Sequence, residues 1–163
     1  MALKRQIVRY CSVLLLLFVA SITSGEAQSL RLGEKIPAIN VVSDIDVEQR
    51  AATSNYVCLM FVHSKSAPCI ESIATFKGLS SLYPDDMLTV LITPESEGDA
   101  TEMLLEFADD KTIVAYDNDY RTYEVFDIKY VPFGIIYRTS TRKILWFGTV
   151  GQLNDELLKT TLK

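Results

Sequence analysis

The side chains in this 163-residue chain best placed for covalent chemistry sit in one short stretch, His63-Ser64-Lys65-Ser66-Ala67-Pro68-Cys69. Ser66 and Cys69 put a hydroxyl and a thiol three residues apart, a spacing that shares one face of a helical turn. A thiolate there could attack a disulfide sulfur, and a helix N-terminus or the nearby Lys65 charge would favour the thiolate. His63, the only histidine, stands six residues before Cys69 and suggests a Cys–His pair. Each residue also has a plainer reading. Ser66 before Ala67-Pro68 suits a helix N-cap whose oxygen accepts the Cys69 amide, and a proline in the first turn needs no N–H partner. Lys65 reads equally as a solvated loop charge, and His63 as an exposed turn residue.

Two other cysteines are present, Cys11 and Cys58. Cys58 lies mid-strand, roughly 13 Å down the sheet from the strand end at about 3.3 Å per residue. A disulfide needs Cα atoms within about 7 Å, so Cys58 reads as a small buried hydrophobe. Cys11 precedes the apolar run of an N-terminal leader. Lys4, Arg5 and Arg9, then residues 13–20, then Gly25-Glu26-Ala27 have the order of a secretory signal. The apolar run is shorter than the roughly 20 residues of a spanning helix, so residues 1–27 are expected to be cleaved, with an uncleaved anchor as the alternative. Cys11 leaves with them. The working expectation is therefore a single-cysteine site at Cys69, in one domain covering 28–163 that is exported to a periplasmic or other extracytoplasmic compartment.

The rest of the chain must position that site. Tyr56–Val62 and Met87–Ile92 are continuous apolar runs without alternation, as expected of central strands covered on both faces. Between them, Ile70, Ile73, Phe76, Leu79 and Tyr83 predict a helix over 69–83. Ala100, Met103, Leu104, Phe107 and Ala108 predict another, capped by Asp99. A strand over 112–116, a short helix near 120–126, a hairpin of 133–137 and 143–147, and a closing helix through Leu153–Leu162 complete the pattern. This order predicts an α/β fold with a mixed central sheet flanked by helices. The formal net charge is −5, and the leader carries away more basic than acidic residues. With no basic run, nucleic acid is excluded as a partner, and a membrane is engaged only through an uncleaved leader. No metal is expected: Arg121 and a missing glycine break the calcium-loop pattern at Asp117-Asn118-Asp119. No zinc spacing or phosphate loop implies a cofactor.

The segment Phe61 to Cys69, between a strand and a helix, resembles the thioredoxin superfamily, specifically its exported TlpA-like (AhpC/TSA-related) branch. That branch carries phenylalanine-tryptophan-alanine-x-tryptophan-cysteine-glycine-proline-cysteine here. Phe61, Pro68 and Cys69 match; Val62 and Lys65 stand for the tryptophans, Ala67 for the glycine and Ser66 for the first cysteine. Gly33-Glu34-Lys35-Ile36-Pro37 is similar to the family's opening sequence, and Val131-Pro132 sits where the family has its cis-proline. The resemblance implies a thioredoxin-like fold over about 33–162 and a cis bond before Pro132.

In the family the first cysteine attacks and the second resolves, so Ser66 removes the attacking group and the ordinary dithiol cycle with it. The implied function is a redox-degenerate domain that binds a protein or peptide partner, possibly one with thiols. Lys65, Ala67, Pro68, Val131 and Pro132 would form the binding surface beside Ser66 and Cys69. The alternative is thiol chemistry at Cys69 itself, by mixed disulfide or peroxidase. The peroxidase form compares Ser66-x-x-Cys69 with the hydroxyl and cysteine of peroxiredoxins, with Arg121 or Arg138 as the arginine and Val62 where that family has proline.

Overall fold

A computed structural model describes residues 29–83 and 87–163; the signal-peptide reading of 1–27 lies outside the described residues. In chain order the elements are α1 (Val47–Ala51), β1 (Tyr56–Phe61), α2 (Ala67–Ser80), β2 (Met87–Thr93), α3 (Glu97–Leu105), β3 (Thr112–Tyr116), α4 (Arg121–Val125), β4 (Phe133–Arg138), β5 (Lys143–Thr149) and α5 (Asp155–Thr161). A short 3-10 turn, Val150–Gln152, joins β5 to α5. The five strands lie in the order β3-β2-β1-β4-β5. β1, β2 and β3 run parallel, and β4 and β5 pair antiparallel beside β1. This is the mixed sheet that the strand pattern predicts.

Every residue of β1 and β2 is buried, which explains their unbroken apolar runs: helices cover both faces. Alternate side chains go to opposite faces. Cys58, Met60 and Val62 meet Cys69, Ile73 and Phe76 of α2 on one side. Val57, Leu59 and Phe61 meet Val47, Phe126 and Tyr137 on the other. The segment before α1 ties both sheet edges. Ile144 N–H donates to the Glu34 carbonyl at 2.8 Å beside β5, and Val42 and Tyr116 exchange backbone bonds of 2.8 and 2.7 Å beside β3. Both edges are thereby partly closed to pairing with another chain.

Three boundaries differ from the sequence reading. Helix α2 begins at Ala67, not Cys69, because Pro68 is accommodated in its first turn. Helix α3 is capped at Ser96 rather than Asp99 and ends at Leu105. Beyond it, Phe107 and Ala108 donate to carbonyls three residues back, a tightened turn rather than continued helix. Helix α1 has five residues, too few to display a periodic stripe; the Asp46 carboxylate caps it by accepting the Gln49 amide at 3.0 Å.

Candidate functional site

The site forms where β1 hands over to α2. The Val62 amide donates to the Ile92 carbonyl at 2.9 Å, so the ends of β1 and β2 are held together before the loop departs. Tyr123 of α4 closes this seam from the side. Its hydroxyl proton faces two carbonyls, Val62 at 3.0 Å and Ile92 at 3.1 Å, and its ring meets Phe61 edge-on at 5.0 Å. Burial raises the pKa of this phenol, keeping it a donor. Asp117 sets Tyr123 in turn. Only 2% exposed, its carboxylate accepts the Thr122 amide at 3.1 Å and the Tyr123 amide at 2.8 Å. Both Asp117 oxygens are thus spent on capping α4.

The loop after Val62 is anchored by Glu95, just beyond β2. Its carboxylate accepts the Ser64 amide and hydroxyl, each at 2.6 Å, and the Thr93 hydroxyl at 2.8 Å. The side chain is 8% exposed, and His63 Nδ1 stands 3.3 Å away. That nitrogen is also 3.3 Å from the Lys65 amide; it can donate to Glu95 or accept from Lys65, not both. Burial pushes the Glu95 pKa up, but the hydrogen bonds from Ser64 and Thr93, with His63 beside them, more than reverse this. The carboxyl is held below its usual 4.5. His63 is therefore a neighbour of Glu95 at the loop's foot.

Ser66 is the N-cap of α2 by position, but its hydroxyl makes no capping bond. This corrects the expected side-chain cap. The Ser66 backbone carbonyl already takes the Cys69 amide at 2.9 Å and the Ile70 amide at 3.1 Å, so the hydroxyl has no amide left to satisfy in that turn. Lys65, Ala67 and Pro68 are exposed and Ser66 is half-buried. Cys69, at the third helical position, turns inward and is fully buried, on the face that also carries Ile73 and Phe76.

The expectation of a single cysteine fails. The chain has three cysteines, and among the described residues Cys58 and Cys69 are both free, buried thiols in one apolar cluster. Burial pushes the Cys58 thiol pKa well up, in keeping with its reading as a small hydrophobe.

The Val131–Pro132 bond is cis, as the resemblance implies, and Pro132 is buried. Phe133 pairs with Phe61, so one step further along places Pro132 beside Val62. Between this corner and α4 lies an open cleft of about 240 Å³, lined by Val62, His63, Tyr120, Tyr123, Tyr130 and Val131 among others. Tyr120 and Tyr130 are 53% and 55% exposed, and Tyr130 leans edge-on against Phe133 at 5.4 Å. Sequence reasoning missed these tyrosines. Their one signal was aromatic residues shortly before Pro132, and their spacing does not say which way they face.

The two candidate arginines are elsewhere. Arg138 pairs with Tyr56 at the opposite end of β1, where it donates to the Lys163 carbonyl and stacks 5.2 Å over the Tyr56 ring. Arg121 is 70% exposed and faces Asp119 at 3.5 Å. Neither arginine is recorded in contact with Cys69 among the described residues. Among the described residues no group of His, Cys, Asp and Glu is arranged to hold a metal.

No family model matches the chain, and no curated protein matches it in sequence. Solved structures do resemble it. A candidate thiol:disulfide interchange protein DsbE from Chlorobium tepidum superposes with a TM-score of 0.69 at 19% identity, over 82% of this chain and 99% of that one. The thioredoxin domain of a thiol-disulfide oxidoreductase from Bacteroides vulgatus gives 0.62 at 17% identity, over 82% and 96%. A secreted disulfide oxidoreductase of Mycobacterium tuberculosis gives 0.53 at 13%, over 69% and 84%. At these identities the likeness is one of fold: the chain has a thioredoxin-like fold with a mixed central sheet flanked by helices.

Proposed function

We propose that this is an exported thioredoxin-fold domain that binds an extended segment of a protein or peptide partner without turning over disulfides. In this reading it belongs to the TlpA-like branch, with Ser66 in the place of the attacking cysteine. The observation that carries it is the arrangement at the start of α2. A serine occupies the more accessible position, and the Cys69 thiol is sealed in the core. Thiol–disulfide exchange needs a thiolate that reaches its target, and neither side chain offers one.

What the site does offer is a surface. Exposed tyrosines combine large contact area with a polar tip at low entropic cost, and they anchor many protein interfaces. The cleft is lined by two exposed tyrosines, Tyr120 and Tyr130, together with the half-buried Tyr123 and Val131. Export is supported by the leader-like order of residues 1–27 and by the likeness in fold to a secreted disulfide oxidoreductase. In this reading Cys69 has a structural role, packed in the core with Ile73 and Phe76. The test is reduction of insulin with dithiothreitol as electron source. Precipitation should proceed no faster than with a Cys69→Ala variant; a clear acceleration by the unaltered protein would overturn the non-catalytic reading.

A further inference from the structure

His63 stands at the foot of the loop that leads into α2, and one of its atoms has two claims on it. The Lys65 amide donates to His63 Nδ1 at 3.3 Å, and the Ser66 amide donates to the His63 carbonyl at 3.1 Å. Both bonds hold the 63–66 turn to a single residue. The same Nδ1 lies 3.3 Å from the Glu95 carboxylate. A neutral ring can present a lone pair at Nδ1, whereas a charged ring carries N–H at both nitrogens and has none. The imidazole is 42% exposed, so solvent reaches it. The carboxylate beside it is held in place by the Ser64 amide and hydroxyl and the Thr93 hydroxyl.

We propose that this turn is a proton-operated latch on the binding loop: neutral His63 holds the Lys65 amide, and charged His63 turns its Nδ1–H to Glu95 and lets that amide go. The proton comes from solvent, and no covalent bond other than its own N–H forms. The groups around the ring leave His63 as the one that switches. Glu95 is held below its usual 4.5 and stays ionised at milder pH. Across the cleft stand Tyr120, Tyr123, Tyr130 and Lys129, the last facing Asp127 at 2.5 Å, and Lys65 is on the loop itself. Tyrosine and lysine ordinarily keep one charge state below about pH 9, and burial raises the Tyr123 phenol further. His63 is the only histidine of the chain, and histidine is the side chain that ordinarily changes charge between about pH 5 and 8. Lys65 begins the Lys65–Pro68 surface, so acidification across that range loosens the surface at its first residue. The bearing on function rests on the peptide-binding reading above, whose loop is the one regulated; the latch itself needs no ligand.

The test is NMR of the nitrogen-15-labelled protein without ligand, between about pH 5 and 8. The Lys65 amide signal should move with the His63 ring signals along one curve. Corrected for the intrinsic pH dependence of exchange, that amide should exchange about two- to tenfold faster at the acid end, the worth of one ordinary hydrogen bond. The Ser66 amide, bonded to the His63 carbonyl, is the internal reference and should keep its protection. His63→Asn leaves a side-chain oxygen two residues before Lys65 that can accept its amide and does not titrate. In that variant the Lys65 signal should no longer depend on pH. A Lys65 signal indifferent to pH while the His63 ring titrates overturns the latch, as does a pH dependence that survives His63→Asn. Equal loss of protection at Ser66 would mean that the turn opens as a whole, and it overturns the exchange of partners. No ligand enters these measurements, so their failure leaves the peptide reading standing, and failure of the peptide reading leaves the latch standing.

Discussion

Replacing Ser66 by cysteine is expected to create an intramolecular disulfide to Cys69 where the unaltered protein forms none. The two positions are the N-cap and third residue of α2, already joined by the 2.9 Å bond from the Cys69 amide to the Ser66 carbonyl. Residues so placed lie within disulfide range. The Ser66 hydroxyl caps nothing, so the substitution should cost well below the roughly 0.5–2 kcal/mol of a lost side-chain cap. Cleavage at Lys65 and Lys77 releases both positions in one peptide, 66–77. After mild oxidation that peptide should resist alkylation and be lighter by two hydrogens, while the Cys58 peptide still labels after unfolding. Turnover should stay low, since Val62 and Lys65 do not restore the aromatic surround. Two free thiols in an intact Ser66→Cys fold would mean that the loop lacks dithiol geometry, and that Ser66 does not occupy an attacking position.

The second large effect is expected at Glu95. Glu95→Ala strands the Ser64 amide, the Ser64 hydroxyl and the Thr93 hydroxyl in a site where the carboxylate is 8% exposed. Unsatisfied groups of this kind, and hydrogen bonds to a charged acceptor, point to a loss of about 2–4 kcal/mol, a large part of a typical total of about 5–15 kcal/mol. The ionised form is the one stabilised, because the folded pKa lies below the usual 4.5. Its contribution is therefore complete above the unfolded value and is lost as pH falls through the folded one. Asp109, whose pKa burial raises but Lys77 and its other donors lower on balance, adds to the same acid limb. The Glu95 share is isolated by comparing unfolding free energies of the unaltered protein and Glu95→Gln from pH 6 downward. The difference between them should shrink as pH falls below about 4.5. A constant difference would mean that Glu95 is neutral in the folded protein, contrary to its three donors.

The parts legible in the sequence were those with strong local signals. The apolar runs of β1 and β2 announced strands buried on both faces, the hairpin was marked by its turn residues, and Val131-Pro132 was placed by resemblance and is cis. The details of the site were harder because they depend on partners distant in the chain. Glu95 follows β2 as one acid among several, and nothing near Ser64 shows that it closes on the loop. Tyr120 and Tyr130 face the cleft because Asp117 and the turn before β4 direct the backbone there, which aromatic spacing does not reveal. The sequence pattern puts Cys69 at the helix start; with α2 beginning at Ala67 it falls two residues inside, in the core with Ile73. Pro68 and the Ser66 carbonyl make that difference, and it turns an apparent reactive thiol into a packed one.

The account stands on Cys69 being sealed, and its labelling rate in the folded protein tests that most directly. Iodoacetamide is added to the native protein and to the same protein in urea, and modification of the 66–77 peptide is followed by mass spectrometry. A thiol reached only through opening of the fold should label at least about 100-fold more slowly in the native state. Labelling of native Cys69 at the unfolded rate would contradict the account and return the site to thiol chemistry.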